Sequence, residues 1–273
     1  MDELAVTGST GNIGGRVARL LSAAGVPQRL VVRDPTRAPT LSGTTVVRAT
    51  YANGEAARRA LDGIGTLFMV SGSEAPDRLD QHRTFVDAAV AAGVARIVYL
   101  SFYNAAADST FTLARDHWAT EEHIRANGVR HTFLRDNLYA DFLPYLVGED
   151  NVIRGPAGDG RAAVVAQDDI AEVAATVLGQ PGRHDDVTYD LTGPESLTFH
   201  EIAERLGVRY HPETVAEAYA SRAGYGAPGW QVDAWVSTYT AVAAGELAGT
   251  SADVQRLTGH PARTLTEVLA ASR

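Results

Sequence analysis

The stretch Val6-Thr7-Gly8-Ser9-Thr10-Gly11-Asn12-Ile13-Gly14-Gly15 decides how this chain folds. Its glycines at 8, 11 and 14 follow the apolar run at 4–7 and precede residues 13–23, whose apolar positions fall at helical spacing. A glycine run alone also suits an ordinary turn. Between a strand and a helix, at the start of a βαβ pattern, it points instead to a dinucleotide-phosphate cradle. Gly8 permits the tight turn, Gly11 lets the backbone approach a pyrophosphate, and Gly14 allows the helix to pack closely on the strand. The unpaired amides of the first helical turn then face an anion.

The pattern continues outward from that loop. Apolar runs at 29–33, 45–48, 64–70, 95–100 and 130–134 alternate with helical patterns at 55–61, 77–92 and 114–126. With the first run, that predicts six parallel strands in a doubly wound α/β sheet of the Rossmann kind, binding ligands at the carboxyl ends of its strands. After residue 148 the alternation loosens. Residues 155–161 form a turn-rich loop, 167–180 (QDDIAEVAATVLGQ) a helix, and 187–193 (VTYDLTG) a short strand. Thr198-x-x-Glu201 is a capping box that opens a helix to Leu206. The expected organisation is a dinucleotide-binding domain over 1–148. A smaller, mostly helical substrate-covering lobe follows over 149–273, with some segments returning to the core.

Composition narrows the chemistry. In 273 residues, 45% are hydrophobic and 21% charged, and no apolar run approaches the roughly 20 needed to span a bilayer. The acidic start Met1-Asp2-Glu3 is unlike a secretory signal, so a cytoplasmic location is expected. A formal charge of −9 argues against binding a nucleic-acid backbone. There is no cysteine, and all 24 basic residues are arginine. Without lysine there is no Schiff base, no Walker lysine and no Tyr-x-x-x-Lys pair. The eight histidines show no HExxH spacing, so no metal site is expected.

The second strand ends in Val31-Val32-Arg33-Asp34, with Arg37 just beyond. An Arg fork there suits the 2′-phosphate of NADPH. NADH stays open, because Asp34 could instead grip a ribose hydroxyl or simply pair with Arg33.

Several longer segments resemble the NmrA-like group of atypical short-chain dehydrogenases, in particular the bacterial NADPH-dependent quinone oxidoreductases and triphenylmethane reductase. VTGSTGNIGG (6–15) resembles the group's glycine motif and VVRDPTRA (31–38) its phosphate-binding Arg segment. QHRTFVDAAVAAGVARIVYLS (81–101), LARDHWATEEHIRANGVRHTFLRDNLY (113–139), AGDGRAAVVAQDDIAEVAATVL (157–178) and TGHPARTLTEVL (258–269) resemble the segments that follow. The resemblance implies cofactor contacts from Gly8, Thr10, Gly11, Asn12, Ile13, Gly14, Arg33, Ser71, Gly72 and Ser101. It implies a nicotinamide near Ser101-Phe102-Tyr103, with substrate near Phe102, Tyr103, Asn137 and Tyr139. Two positions depart from the group: Thr50 stands where an Asp often precedes the tyrosine corresponding to Tyr51, and Asp136 stands in place of an Asn.

Without Tyr-x-x-x-Lys, an acceptor that spreads incoming charge over a ring fits better than a simple ketone. The resulting expectation is an NAD(P)H-dependent reductase passing hydride to a quinone or polycyclic aromatic acceptor, with the proton drawn from water, Tyr103, His117, Asp136 or Tyr139. Each of these residues also has an ordinary structural reading, as packing, capping or ion pairing. Two alternatives stand beside it. One is a tailoring enzyme for aromatic polyketide quinones that assists oxygenation by a partner flavin monooxygenase. The other is a non-catalytic dinucleotide sensor. A homodimer stays open.

Overall fold

The computed structural model describes residues 3–271. The acidic start Met1-Asp2, which carries the expectation of no secretory signal, and Ser272-Arg273 lie outside the described residues. The chain runs β1 (Glu3–Thr7), α1 (Asn12–Ala23), β2 (Gln28–Val32), β3 (Thr44–Arg48), α2 (Gly54–Ala60), β4 (Ile64–Val70), α3 (Arg78–Ala91), β5 (Arg96–Phe102), α4 (Thr112–Ala126) and β6 (Arg130–Asp136). There follow β7 (Val152–Gly155), β8 (Arg161–Ala162), α5 (Gln167–Gly179), β9 (Val187–Leu191), β10 (Leu197–Thr198), α6 (Phe199–Leu206), β11 (Arg209–Pro212) and α7 (Val215–Arg222). The last elements are α8 (Gly229–Ala243), α9 (Asp253–Thr258) and α10 (Leu265–Ala271).

One sheet takes the order β3-β2-β1-β4-β5-β6-β9. The pairs β1·β2, β1·β4, β2·β3 and β4·β5 are parallel. The chain first winds from β1 outward to β3 and then from β4 outward the other way, so the order reverses between β1 and β4. In such sheets ligands bind in the crevice at that switch point. Both the glycine loop after β1 and the Ser71-Gly72 loop after β4 stand there. The fold is thus the expected Rossmann-like α/β class, with one correction: the sheet has seven strands, not six. The Asp186 amide donates to the His131 carbonyl at 2.6 Å and the Asn137 amide to the Leu191 carbonyl at 3.0 Å, so β9 runs alongside β6 in the same direction. Tyr189 and Leu191 on β9 are buried. Among the described residues, no helix is long and apolar enough to cross a membrane.

The chain forms two compact units that interleave in sequence. The first comprises the chain up to Ser101, Asp116–Arg135 and Asp168–Tyr189; the second comprises Phe102–Arg115, Asp136–Gln167 and the chain from Asp190 onward. The expected boundary at residue 148 falls inside the second unit. The reason is that the chain changes unit five times rather than once: at the carboxyl ends of β5 and β6, within α4, at the start of α5 and within β9. The core of the first unit includes Leu61, Leu67, Phe85, Ile97, Tyr99 and Phe133. That of the second includes Phe102, Ile153, Phe199, Tyr239 and Leu247. The second unit mixes helices with two short strand pairs, β8·β10 antiparallel and β7·β11 parallel. The predicted capping box is present: Thr198 Oγ1 accepts from the Glu201 amide and the Glu201 carboxylate accepts from the Thr198 amide.

Gly14 fixes how α1 meets β1. A Cβ there would lie 2.5 Å from the Gly8 carbonyl carbon and 2.6 Å from the Thr7 carbonyl oxygen, both backbone atoms. Gly14→Ala is therefore expected to cost more than the roughly 1–3 kcal/mol of ordinary overpacking, a Tm fall of roughly 5–10 °C. Gly179→Ala, whose methyl group would meet nothing within 4 Å, should leave Tm nearly unchanged. Thermal melts of the two variants beside wild type check this; equal, small shifts would contradict it.

Candidate functional site

The glycine loop separates into positions that the fold explains and one that it does not. Gly8 has φ +66°, a conformation that disfavours a side chain, and a Cβ there would press on Val70 at 2.9 Å. Gly14 is excluded from carrying one by backbone, as above. Gly11 has an ordinary extended conformation, φ −104°, and a Cβ on it would meet only the Gly8 carbonyl oxygen, at 3.4 Å. Packing leaves Gly11 free, so its lack of a side chain keeps open the space before the first turn of α1.

That turn lacks the usual means of satisfying its amides. Gly11 is the N-cap, no side chain caps it, and the first turn has no acidic residue. Gly11 and Asn12 are exposed, Thr10 is half-buried, and Ile13 is buried against the core. The Ser9 hydroxyl is buried without a partner among the described residues. Unpaired amides, a helix dipole and an open approach suit a pyrophosphate. These residues fit a dinucleotide.

At the end of β2 the geometry sorts Arg33 from Asp34. One Asp34 carboxylate oxygen accepts from the Thr36 hydroxyl at 2.7 Å and the Thr36 amide at 3.0 Å. These bonds lower its pKa below the usual carboxylate value. The carboxylate thus caps the 3-10 turn Pro35–Arg37. Arg33 is exposed and makes no ion pair among the described residues.

The loop after β4 is held almost entirely by side chains. Thr7 Oγ1 accepts from the Val70 amide at 2.9 Å, and the Tyr51 hydroxyl, beside Thr7 Oγ1 at 2.7 Å, donates to the Val70 carbonyl at 2.5 Å. Two residues on, the Gly72 amide donates to His82 Nε2 at 2.8 Å and the Gly72 carbonyl accepts from Arg78 Nε at 3.0 Å. A backbone amide can only donate, so His82 Nε2 is unprotonated and its proton sits on Nδ1. Nδ1 faces Thr120 Oγ1 at 2.9 Å, and that hydroxyl donates to the Asp116 carbonyl at 2.7 Å. Burial first, and then the Arg78 charge, push the His82 pKa down to about 3. Tyr51 stacks on Phe85 with ring centroids 4.2 Å apart. It follows Thr50, the position after β3 where the sequence departs from its group.

His117 belongs to this network. It stands in the second turn of α4, and only 7% of it is exposed. Arg78 Nη2 lies 2.9 Å from His117 Nε2, and the Tyr99 hydroxyl 3.1 Å from Nδ1. A guanidinium only donates, so Nε2 is again the acceptor. Burial, then Arg78, holds the His117 pKa well below 6.5. It is a neutral residue with both nitrogens engaged by protein. Ser101 is fully buried and donates to Glu121 Oε1 at 2.6 Å, a carboxylate also bonded twice by Arg135. Its hydroxyl therefore faces the protein interior.

The other predicted residues belong to the second unit. Phe102 is buried, edge-on to Phe111 at 4.9 Å. The Tyr103 amide donates to the Asp136 carbonyl at 2.8 Å. Burial, then Asp190, raises the pKa of the half-buried Tyr103 phenol. Asn137 is fully buried, and its amide is engaged by backbone: Nδ2 donates to the Leu247 carbonyl and Oδ1 accepts from the Leu138 amide. Asp136, 2% exposed, accepts from the Tyr139 hydroxyl at 3.0 Å. Burial outweighs that bond and lifts the Asp136 pKa well above 3.8.

Sequence reasoning missed Arg78, Thr7 and Thr120 and left His82 among scattered histidines. The available signal was the i, i+4 spacing of Arg78 and His82, which puts both on one face of α3.

Two opposite pH dependences follow. His82, faced by Arg78, Tyr51 and Tyr99, has a folded pKa below its unfolded value. Its contribution is full above about pH 6.5 and is lost as pH falls toward 3, reaching on the order of 3 kcal/mol by pH 4. Denaturation of His82→Gln and wild type from pH 8 to 4 should show the variant's relative stability rising as pH falls; a constant difference would contradict this. Asp136 has a raised folded pKa, so its contribution is full below the unfolded pKa of about 3.8 and is lost as pH rises through the folded value. Asp136→Asn should therefore melt higher than wild type, by a margin that grows with pH; a margin that shrinks would show an ionised, stabilised carboxylate.

Residues 1–212 match the NmrA-like family. Quinone oxidoreductase 2 of Escherichia coli is 33% identical over 279 residues, spanning 97% of this chain and 96% of that protein. The NAD(P)H azoreductase of Xenophilus azovorans is 31% identical over 273 residues, spanning 96% and 95%. Among solved structures, the NADPH complex of the E. coli NADPH-dependent quinone oxidoreductase is similar with a TM-score of 0.88 at 31% identity, covering 99% of this chain and 100% of that one. The NADP(H) complex of Citrobacter sp. triphenylmethane reductase is similar with a TM-score of 0.87 at 32% identity, covering 99% and 100%. With most of its length matched to the family and relatives above 30% identity along nearly all of it, the chain belongs to the NmrA-like family.

Proposed function

We propose that this chain is an NAD(P)H-dependent oxidoreductase that prefers NADPH and reduces a quinone or comparable polycyclic aromatic acceptor. The observation that carries the reading is the open, uncapped head of α1 at Gly11, with Arg33 exposed at the neighbouring strand end while Asp34 is committed to Thr36. The similar proteins support it: their names specify a quinone, an azo compound and a triphenylmethane, all conjugated electron acceptors.

In this reading the first-turn amides of α1 bind the pyrophosphate, Arg33 pairs with the 2′-phosphate, and the Ser71-Gly72 loop flanks the dinucleotide. NADPH supplies the hydride. Converting a quinone to a hydroquinone requires one hydride and one proton. His117 is neutral, with both ring nitrogens facing protein groups, and Ser101 is turned to Glu121, so neither serves as the acid. The Tyr139 hydroxyl, bonded to an Asp136 carboxyl whose pKa burial raises, is the candidate proton donor in this reading. An acceptor that spreads charge over a ring needs no Tyr-x-x-x-Lys acid, consistent with the absence of lysine.

The test follows NADPH and NADH absorbance against simple and polycyclic quinones. Wild type should oxidise NADPH in preference to NADH. Arg33→Ala should raise the KM for NADPH about 10- to 100-fold while leaving that for NADH nearly unchanged. Equal losses with both cofactors would remove Arg33 from phosphate recognition, and no oxidation with any quinone would remove the acceptor class.

A further inference from the structure

We infer that Arg78 and His82 are positioning residues for cofactor affinity: from one face of α3 they hold the carbonyl and the amide of Gly72, setting the loop after β4 in a single conformation beside the glycine loop. The inference rests on the proposed dinucleotide site and adds residues to it.

Four backbone polar groups, the amides and carbonyls of Val70 and Gly72, are each bonded by a side chain: Thr7, Tyr51, His82 and Arg78. A loop that leaves a parallel strand usually satisfies these groups with water or backbone. Here the holders are themselves fixed. Arg78, 4% exposed, is tied to Asp116 at 3.1 Å and to His117 at 2.9 Å, both on α4. His82, fully buried, is oriented by Thr120 on the same helix. The residue at 72 must also be small, because a Cβ there would lie 3.2 Å from His82 Nε2 and 3.7 Å from the Tyr51 ring. The Gly8 turn rests on Val70, within 2.9 Å of where a Gly8 Cβ would be, so the clamped loop and the phosphate loop are in contact. Holding a binding loop in one conformation before the ligand arrives removes an ordering cost from binding. The effect therefore falls on cofactor affinity more than on turnover.

The test measures NADPH Kd by fluorescence titration, the KM and kcat for NADPH at saturating quinone, and the Tm of the cofactor-free protein. The variants are His82→Leu, His82→Gln and Thr120→Val. His82→Leu leaves the Gly72 amide without an acceptor and should raise Kd and KM for NADPH about tenfold, with a smaller change in kcat. His82→Gln presents an amide oxygen where Nε2 stood and should recover most of that loss. Thr120→Val, which removes the group that orients the imidazole but not the imidazole itself, should raise Kd by a smaller factor. Equal losses from Leu and Gln, or a lower Tm with Kd unchanged, would overturn the inference while leaving the proposed function standing. Wild type that binds no NADPH would overturn both.

Discussion

The whole arrangement depends on the close approach of α1 to the end of β1. Where a Gly14 side chain would be, the carbonyl groups of Thr7 and Gly8 already lie. Only because that space holds no Cβ does the helix axis point at the turn, leaving the amides of its first residues uncovered. The same turn, forced to a positive φ at Gly8, rests on Val70 at the end of β4. One steric constraint thus aligns the helix dipole, the neighbouring strand and the loop that leaves it. These are the parts of a phosphate site, brought together by backbone contact before any charged side chain is considered.

Around that frame burial shifts several polar groups toward their neutral forms. His82 and His117 lose their charge to burial and to Arg78, and burial outweighs the Tyr139 bond to raise the Asp136 pKa. The buried Arg78 guanidinium is bonded to Gly72, Asp116 and His117. A guanidinium so enclosed is tolerated because it is bonded on several sides. It cannot leave without stranding its partners. At the surface, where charge costs little, Arg33 makes no ion pair among the described residues, while one carboxylate oxygen of its neighbour Asp34 is bonded to Thr36.

Most of the fold was legible because it is written locally. The apolar runs and their helical intervals each lie within a few residues, and all six expected strands form, with 64–70 matching β4 from end to end. The glycine spacing, the Arg33 position and the Thr198 capping box are local too. The seventh strand was visible as VTYDLTG, but its place beside β6 depends on hydrogen bonds across more than 50 residues, such as Asp186 to His131. The clamp on Gly72 was illegible for the same reason: Arg78 meets His117, and His82 meets Thr120, across 39 and 38 residues. The surroundings of His117, Ser101 and Asn137 were not legible either: each has side-chain polar atoms bonded to protein groups distant in sequence. The rise in the Asp136 pKa likewise comes from burial, which residue type does not show.

The central claim is that the uncovered amides before α1, together with Arg33, receive a phosphorylated dinucleotide. A crystal structure of the protein grown with NADPH tests it most directly. The account predicts a pyrophosphate against Gly11 and the first turn of α1, a 2′-phosphate paired with the Arg33 guanidinium, and Asp34 still bonded to Thr36. A cofactor with its 2′-phosphate turned away from Arg33, or its ribose held by a displaced Asp34, would contradict it.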